Sequence, residues 1–314
     1  MSVLICENLV KNNRSENIIK DFSYNFLENQ IYALVEKNEY YQHELLNLIC
    51  GKNKPDSGNV WIDGELLFGN NEMNERICFI SKDTTFPITM RIIQIFKLMQ
   101  DFYPKWDTAY AYELVKHFNI SLKASFGSLS KPKRSIFIGI LGLASRANVT
   151  IFENPLSDAD IKDRYDYFNF LYKHHEIYPR TFIISTTFVD EISYLIDKVL
   201  FFDKGTLFAH FTLDEIKNNF RYLSGKTEVL KSLLSGVKML GVEERGKTLT
   251  VCVRQKLSKD EIRKYQKYLI KISEVPIHNI FIYLINLREI KEKMYYVITT
   301  IKTPIKVLHF AIFS

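Results

Sequence analysis

Residues 31–51, IYALVEKNEYYQHELLNLICG, constrain the fold more than any other stretch. The apolar run 31–35 predicts a buried strand, a polar loop follows, and Leu45, Leu46, Leu48 and Ile49 recur at helical spacing up to a terminating Gly51. Strand, loop and helix in this order outline a phosphate-binding P-loop. Such a loop needs glycines so that backbone amides can curl around phosphate oxygens, a lysine for the terminal phosphates and a Ser or Thr for magnesium. Laid over G-x-x-x-x-G-K-[ST], the sequence puts Glu36 and Tyr41 at the glycine positions, Gln42 at the lysine position and His43 at the hydroxyl position, with Asn38 and Glu39 between them. Glu36, Glu39 and Glu44 face a single Lys37. Two carboxylates within about 6 Å of a phosphate cluster each cost about 1 to 3 kcal/mol at a surface-like dielectric. The loop is therefore predicted to repel the ligand its outline suggests. Tyr40 and Tyr41 either plug the phosphate cavity or stand exposed.

The order of elements sets the fold class. Residues 3–10 have strand composition and residues 18–26 alternate like a half-buried antiparallel strand. After the helix, PDSGNVWIDGELLF predicts a strand, a tight turn at Asp63-Gly64 and another strand; residues 77–81 add a short one. From 88 to about 122 the period is helical, with Ile92, Ile95, Phe96 and Met99, then Tyr110, Leu114 and Phe118 after Pro104. Residues 135–144 read as a buried helix in which Gly139 and Gly142 allow close packing. Strand 149–152 delivers Glu153 and Asn154 to a loop; helix 161–174, strand 181–185, helix 189–195 and strand 198–203 follow. The expected class is α/β: a mostly parallel sheet covered by helices, with an antiparallel β part and an inserted helical subdomain.

At 314 residues, 46% hydrophobic and 25% charged, the chain suits two domains of unequal size. Cys6, Cys50, Cys78 and Cys252 lie far apart, which predicts reduced thiols and no zinc site. Residues 1–9 are too short for a signal peptide and contain Glu7, and the apolar residues 295–314 are interrupted by Lys302, Pro304, Lys306 and His309. A net charge of +6 permits contact with anionic surfaces without demanding it. His174-His175, at a helix end, reads as a solvated or C-capping pair rather than a metal site.

Six segments in order carry a resemblance: KPDSGNVWIDGE (54–65), FYPKWD (102–107), SLS (128–130), GLASRANVTIFENP (142–155), RTFIISTTFVDEI (180–192) and KVLFFDKGTL (198–207). Residues 2–221 resemble the ATP-binding subunit of an ABC transporter, closest to the single-domain ATPase subunits of bacterial exporters. The resemblance implies a P-loop NTPase-like core over residues 1–225, with the helical subdomain at about 87–145, and a small α+β domain over 226–314. It implies ATP and magnesium as cofactors and a location peripheral to the inner face of the cell membrane. The expected partners are a second ABC ATPase subunit in a head-to-tail dimer and a transmembrane permease subunit gripped by residues 87–122; nucleic acid is not expected.

Carried over by residue, the family's magnesium-binding Asp corresponds to Glu153, its catalytic Glu to Asn154, its switch His to Thr187, and its magnesium-linking Gln to Ser81 or Lys82. An amide cannot accept the proton of an attacking water, and loss of a general base removes a factor of about a hundred or more. Asp160, in the loop joining two halves of a dimer, is retained. The signature turn becomes Ser130, Lys131, Pro132, Lys133 and Arg134, in which Pro132 removes one amide donor but suits a helix's first turn. These cations either close over a partner's ATP or form a solvated helix start. The expectation is a catalytically degenerate subunit, set against an active ATPase with a non-standard site and a regulator that has left the transporter. In the tail, GVKMLGVEERGKTLTVCVRQ predicts two strands and KDEIRKYQKYLIK a helix, with Lys259, Arg263, Lys264, Lys267 and Lys271 outward and Ile262, Tyr265 and Leu269 inward. The segment after Glu292 is expected to pack onto the core or a partner.

Overall fold

The structure, a computed structural model, describes residues 1–13, 16–234 and 237–300, with side chains to 290 apart from positions 2, 71, 72 and 74. Its contacts divide it into two units, Met1–His210 and Phe211–Ser314.

The first unit opens with β1 (Ser2–Asn13) and β2 (Glu16–Leu27), enters β3 (Ile31–Glu36) and α1 (Glu39–Ile49), and returns through β4 (Ser57–Ile62), β5 (Glu65–Leu66) and β6 (Ile77–Ser81). Three helices follow: α2 (Ile92–Phe102), α3 (Thr108–His117) and α4 (Lys131–Ala144). Then come β7 (Val149–Glu153), α5 (Ile161–Ile177), β8 (Thr181–Ser185), β9 (Lys198–Asp203) and β10 (Thr206–Thr212). One sheet of four strands runs β2-β1-β4-β5, and a second of six runs β10-β9-β3-β8-β7-β6. The pairs β9/β3, β3/β8, β8/β7 and β7/β6 are parallel, while β1 pairs antiparallel with β2 and β4. β3 and β7 are buried throughout apart from the half-buried Glu36, the mark of strands covered on both faces. One core joins the two sheets through Phe22, Phe26, Tyr32, Leu46, Ile49, Val60, Ile151 and Phe202.

In the helical subdomain the buried face of α2 is Ile92, Ile95, Phe96 and Met99, as its period predicts. α4 begins at Lys131, four residues before the expected start, because the Ser130 hydroxyl caps it and Pro132 is accommodated in the first turn. A Cβ on Gly142 would lie 2.5 Å from the Phe152 ring and one on Gly139 2.9 Å from the Tyr167 ring, so both glycines are required by close approach. The expected helix 189–195 is only a 3-10 turn, Val189–Ile192.

His174 corrects the sequence reading. It is 4% exposed, not solvated, because it continues the buried face of α5 marked by Tyr167 and Leu171, and its ring stacks on Tyr110 at 4.1 Å. Burial, with Arg180 nearby, lowers its pKa to about 3. The native ring thus stays neutral while the unfolded chain takes up a proton below about pH 6.5. Stability is lost as pH falls through this window, at about 1.4 kcal/mol per unit. Urea unfolding at pH 5 is expected to give about 2 kcal/mol less stability than at pH 7 from this residue, and His174→Phe, which keeps the stacking, should remove that share of the difference.

The second unit comprises α6 (Leu213–Asn219), β11 (Phe220–Lys226), α7 (Thr227–Leu233), β12 (Met239–Arg245), β13 (Thr248–Arg254), α8 (Lys259–Lys267), β14 (Lys271–Glu274) and α9 (Ile277–Thr300). Its sheet runs β12-β13-β11-β14 and its core contains Leu223, Leu230, Leu249, Val251, Val253, Tyr265 and Ile270. The unit begins at Phe211 rather than at residue 226 because β11 pairs with β13 and β14. Leu269 is 88% exposed, contrary to the inward placement expected for it. α8 ends at Lys267, so its helical phase does not extend to 269, and Ile270 turns inward instead. The segment expected to pack after Glu292 lies outside the described side chains. Among the described residues no helix is long and apolar enough to cross a membrane.

Candidate functional site

The parallel strands β3, β7 and β8 end together, and the groups singled out by sequence collect at that end. Only Lys37 and Asn38 separate β3 from α1, so the helix starts inside the stretch where a phosphate cradle would lie. Asn38 is its N-cap: the side chain accepts from the Tyr40 amide at 2.9 Å, and the Asn38 carbonyl accepts from the Gln42 amide at 3.3 Å. The Asn38 amide in turn donates to Glu36 Oε1 at 3.2 Å. Three amides of the loop are therefore bonded to their own chain. The signal was present in the sequence as an Asn followed by Glu39, an N-cap with an acid in the first turn.

Two of the three bulky polar residues that open α1 are buried, Tyr41 and Gln42, and one, Tyr40, is not. Tyr41 donates its hydroxyl to Glu16 Oε1 at 2.6 Å, a bond that pushes the hydroxyl up to about 12. The half-buried Glu36 carboxyl also accepts from the Gly205 amide at 3.4 Å, and burial raises it above the usual carboxylate range. Glu39 pairs with Lys82 at 2.8 Å, which raises the lysine and offsets one of the loop's negative charges.

His43 and Glu153, the two positions matched to magnesium ligands, meet each other: His43 Nδ1 lies 2.7 Å from Glu153 Oε1. Glu153 is 3% exposed and its Oε2 is buried without a partner. In the sheet register Glu153 stands between Ser81 and Ser185, whose Oγ is likewise buried without a partner. Asn154 follows with φ +44° and an amide bonded to the Ser185 carbonyl at 2.8 Å. Asn tolerates this left-handed backbone better than most residues. Thr187 is exposed beyond the end of β8.

At the start of α4 the cations part company. Lys133 pairs with Asp163 at 3.5 Å, and its amide donates to Ser130 Oγ at 3.5 Å. The Arg134 guanidinium lies over Phe126 at 4.9 Å and reaches the Leu129 carbonyl. Lys131 is exposed, and with Lys82, Arg134, Asn154 and Asp158 it lines a cleft of about 180 Å³. Asp160 caps α5 by accepting from the Asp163 amide at 2.8 Å. Among the described residues no group of three or more His, Cys, Asp or Glu could hold a metal ion.

No family model matches the chain. It is 21% identical over 203 residues to the ABC transporter ATP-binding protein YtrB of Bacillus subtilis, covering 65% of this chain and 70% of that protein. It is 25% identical over 169 residues to the lipopolysaccharide export system ATP-binding protein LptB of Haemophilus influenzae, covering 51% and 70%. A solved ATP-binding subunit of an ABC transporter superposes with a TM-score of 0.62 at 16% identity over 69% of this chain and 92% of that one. The dimeric bacterial ABC transporter cassette MJ0796 superposes at 0.59 and 16% identity over 67% and 98%. The chain has the ABC ATPase cassette fold. Within this cassette the end of β3, the end of β7 and the start of α4 are the places to which the sequence assigned the P-loop, the second nucleotide motif and the signature.

Proposed function

We propose that this cassette is a catalytically degenerate subunit of a bacterial ABC exporter, which does not hold ATP and magnesium at its own P-loop. It acts by pairing head to tail with an active ATPase subunit and by docking on a membrane subunit at the inner face of the membrane. The observation that carries this reading is the 2.7 Å bond between His43 and Glu153, which engages both positions a magnesium ion would need. The amides of Asn38, Tyr40 and Gln42 are bonded within the chain, and Asn154 cannot act as a base. The donor set does not fit a magnesium nucleotide, so no hydrolytic step is assigned to it. Exposed Lys131 beside Ser130 supports a role in closing over nucleotide held by the partner. The export assignment rests on the resemblance to LptB, named for an export system.

Equilibrium titration with a fluorescent ATP analogue tests the reading. The isolated chain is expected to give no saturable, magnesium-dependent binding up to about 1 mM. Micromolar, magnesium-dependent binding would overturn it and restore the alternative of an ATPase with an unorthodox site. Co-purification with a membrane subunit separates a transporter part from a free regulator.

A further inference from the structure

In the second unit, the turn from α8 to β14 presents an apolar point. Leu269 is 88% exposed and Tyr268 49% exposed, while their neighbours Tyr265 and Ile270 are buried. The point is held firmly: the Tyr268 amide donates to Lys264 O at 3.3 Å, the Leu269 amide to Gln266 O at 3.0 Å and the Ile270 amide to Tyr265 O at 2.9 Å. Leu269 has φ +61°, a conformation in which Gly or Asn is the unstrained choice after a helix. A leucine here is unfavourable for the backbone and for solubility alike, so the free chain gains nothing from it.

Lysines surround this point. Lys264 lies one helical turn below Tyr268, and Lys267 and Lys271 flank the turn in sequence; all three are exposed. Neither Lys267 nor Lys271 pairs with a carboxylate among the described residues. The acids of α8 stand in its first turn, where Asp260 faces Arg263 at 3.8 Å and the Glu261 carboxylate accepts from the Ser258 amide at 2.8 Å; Lys264 is close enough to Glu261 to help hold it ionised, while Lys267 and Lys271 have no such neighbour on α8. Helix-dipole complementation accounts for Lys264 and Lys267 but not for Lys271, which lies on β14, nor for the apolar residues.

We propose that Tyr268-Leu269 is a docking tip that enters the headgroup layer of an anionic lipid surface, with Lys264, Lys267 and Lys271 holding it there. Each lysine near such a surface adds electrostatic attraction, and the leucine adds apolar burial. Nucleic acid would use the lysines but offers Leu269 no apolar partner. The tip is independent of the P-loop reading, so either can fail without the other.

Flotation of the full chain with vesicles tests it, using phosphatidylcholine alone and phosphatidylcholine with about 30 mol% phosphatidylglycerol. Binding is expected only to the anionic vesicles and should be lost at high salt. Leu269→Asn, which suits the left-handed backbone, should weaken it about tenfold without lowering the melting temperature. The triple change K264A/K267A/K271A should weaken it about tenfold or more. A Tyr268→Trp variant should show a blue shift and quenching by brominated lipid. The tail beyond residue 290 is the same in every variant, so binding that ignores the tip changes would overturn the proposal. Equal binding to neutral vesicles, no vesicle binding, or DNA binding that survives Leu269→Asn and displaces the vesicles would overturn it too.

Discussion

His43→Ala is expected to destabilise the first unit by about 2 to 3 kcal/mol in urea unfolding at pH 7. The change removes the partner of a carboxylate that is 3% exposed and already has one unpartnered oxygen. A buried carboxyl group left without its hydrogen-bond partner costs about 1 to 3 kcal/mol, more when it is charged; the His43 side chain is 33% exposed, and solvent moderates the loss. In a working P-loop the same position contacts the ligand's metal, so its loss would lower affinity and leave the empty fold nearly intact. Stability is therefore the informative readout. Glu153→Gln retains a hydrogen bond to His43 and should cost less. The double variant should fall short of the sum of the single ones by at least about 1 kcal/mol. A His43→Ala protein within about 0.5 kcal/mol of the parent would show that the contact carries no structural weight.

The sequence reading set Glu36, Tyr41, Gln42 and His43 at the glycine, lysine and hydroxyl positions of a P-loop outline, and the structure brings that stretch to the end of β3, with His43 against Glu153. Less legible was what the replacements do. The sequence allowed a loop after β3, whereas α1 starts at Glu39, since an N-cap acts locally and overrides the outline of a longer motif. His43 and Glu153 are 110 residues apart, and nothing in the spacing of either announces a contact. Only their shared assignment to one metal could have suggested it.

In the fold, strands buried on both faces were found where apolar runs of five or six residues stand between turn signals, as in β3, β7 and β8. β11 escaped notice because FRYLSGK mixes polar and apolar residues without strict alternation, and its position depends on partners from β13 and β14. Leu269 was misplaced by continuing a helical phase beyond a C-cap. His174 was misjudged by residue type, since its position on α5 matched the buried stripe.

Arg180→Ala is expected to cost about 3 to 5 kcal/mol, among the largest single-residue effects in the chain. Arg180 is 6% exposed, and its Nη2 donates to the carbonyls of Leu143 at 2.6 Å and Gly142 at 3.3 Å, in the last turn of α4. Its guanidinium lies 4.7 Å from the centre of the Phe182 ring, and no carboxylate pairs with it among the described residues. Burial lowers its pKa to about 10, so it remains charged at neutral pH. Alanine leaves a cavity and strands the Leu143 carbonyl without its side-chain donor. Arg180→Met restores the volume and removes the buried charge, and should recover more than half of the loss, as buried charges replaced by apolar groups often do. The two variants thus separate packing from capping by urea unfolding; a loss below about 1 kcal/mol for alanine would rule out both contributions. The methionine variant should also raise the pKa of His174, because Arg180 is one of the cations that hold that ring neutral. Its stability should then fall less steeply than that of the parent below about pH 5, where the native ring begins to take up its proton, a change that packing alone would not produce.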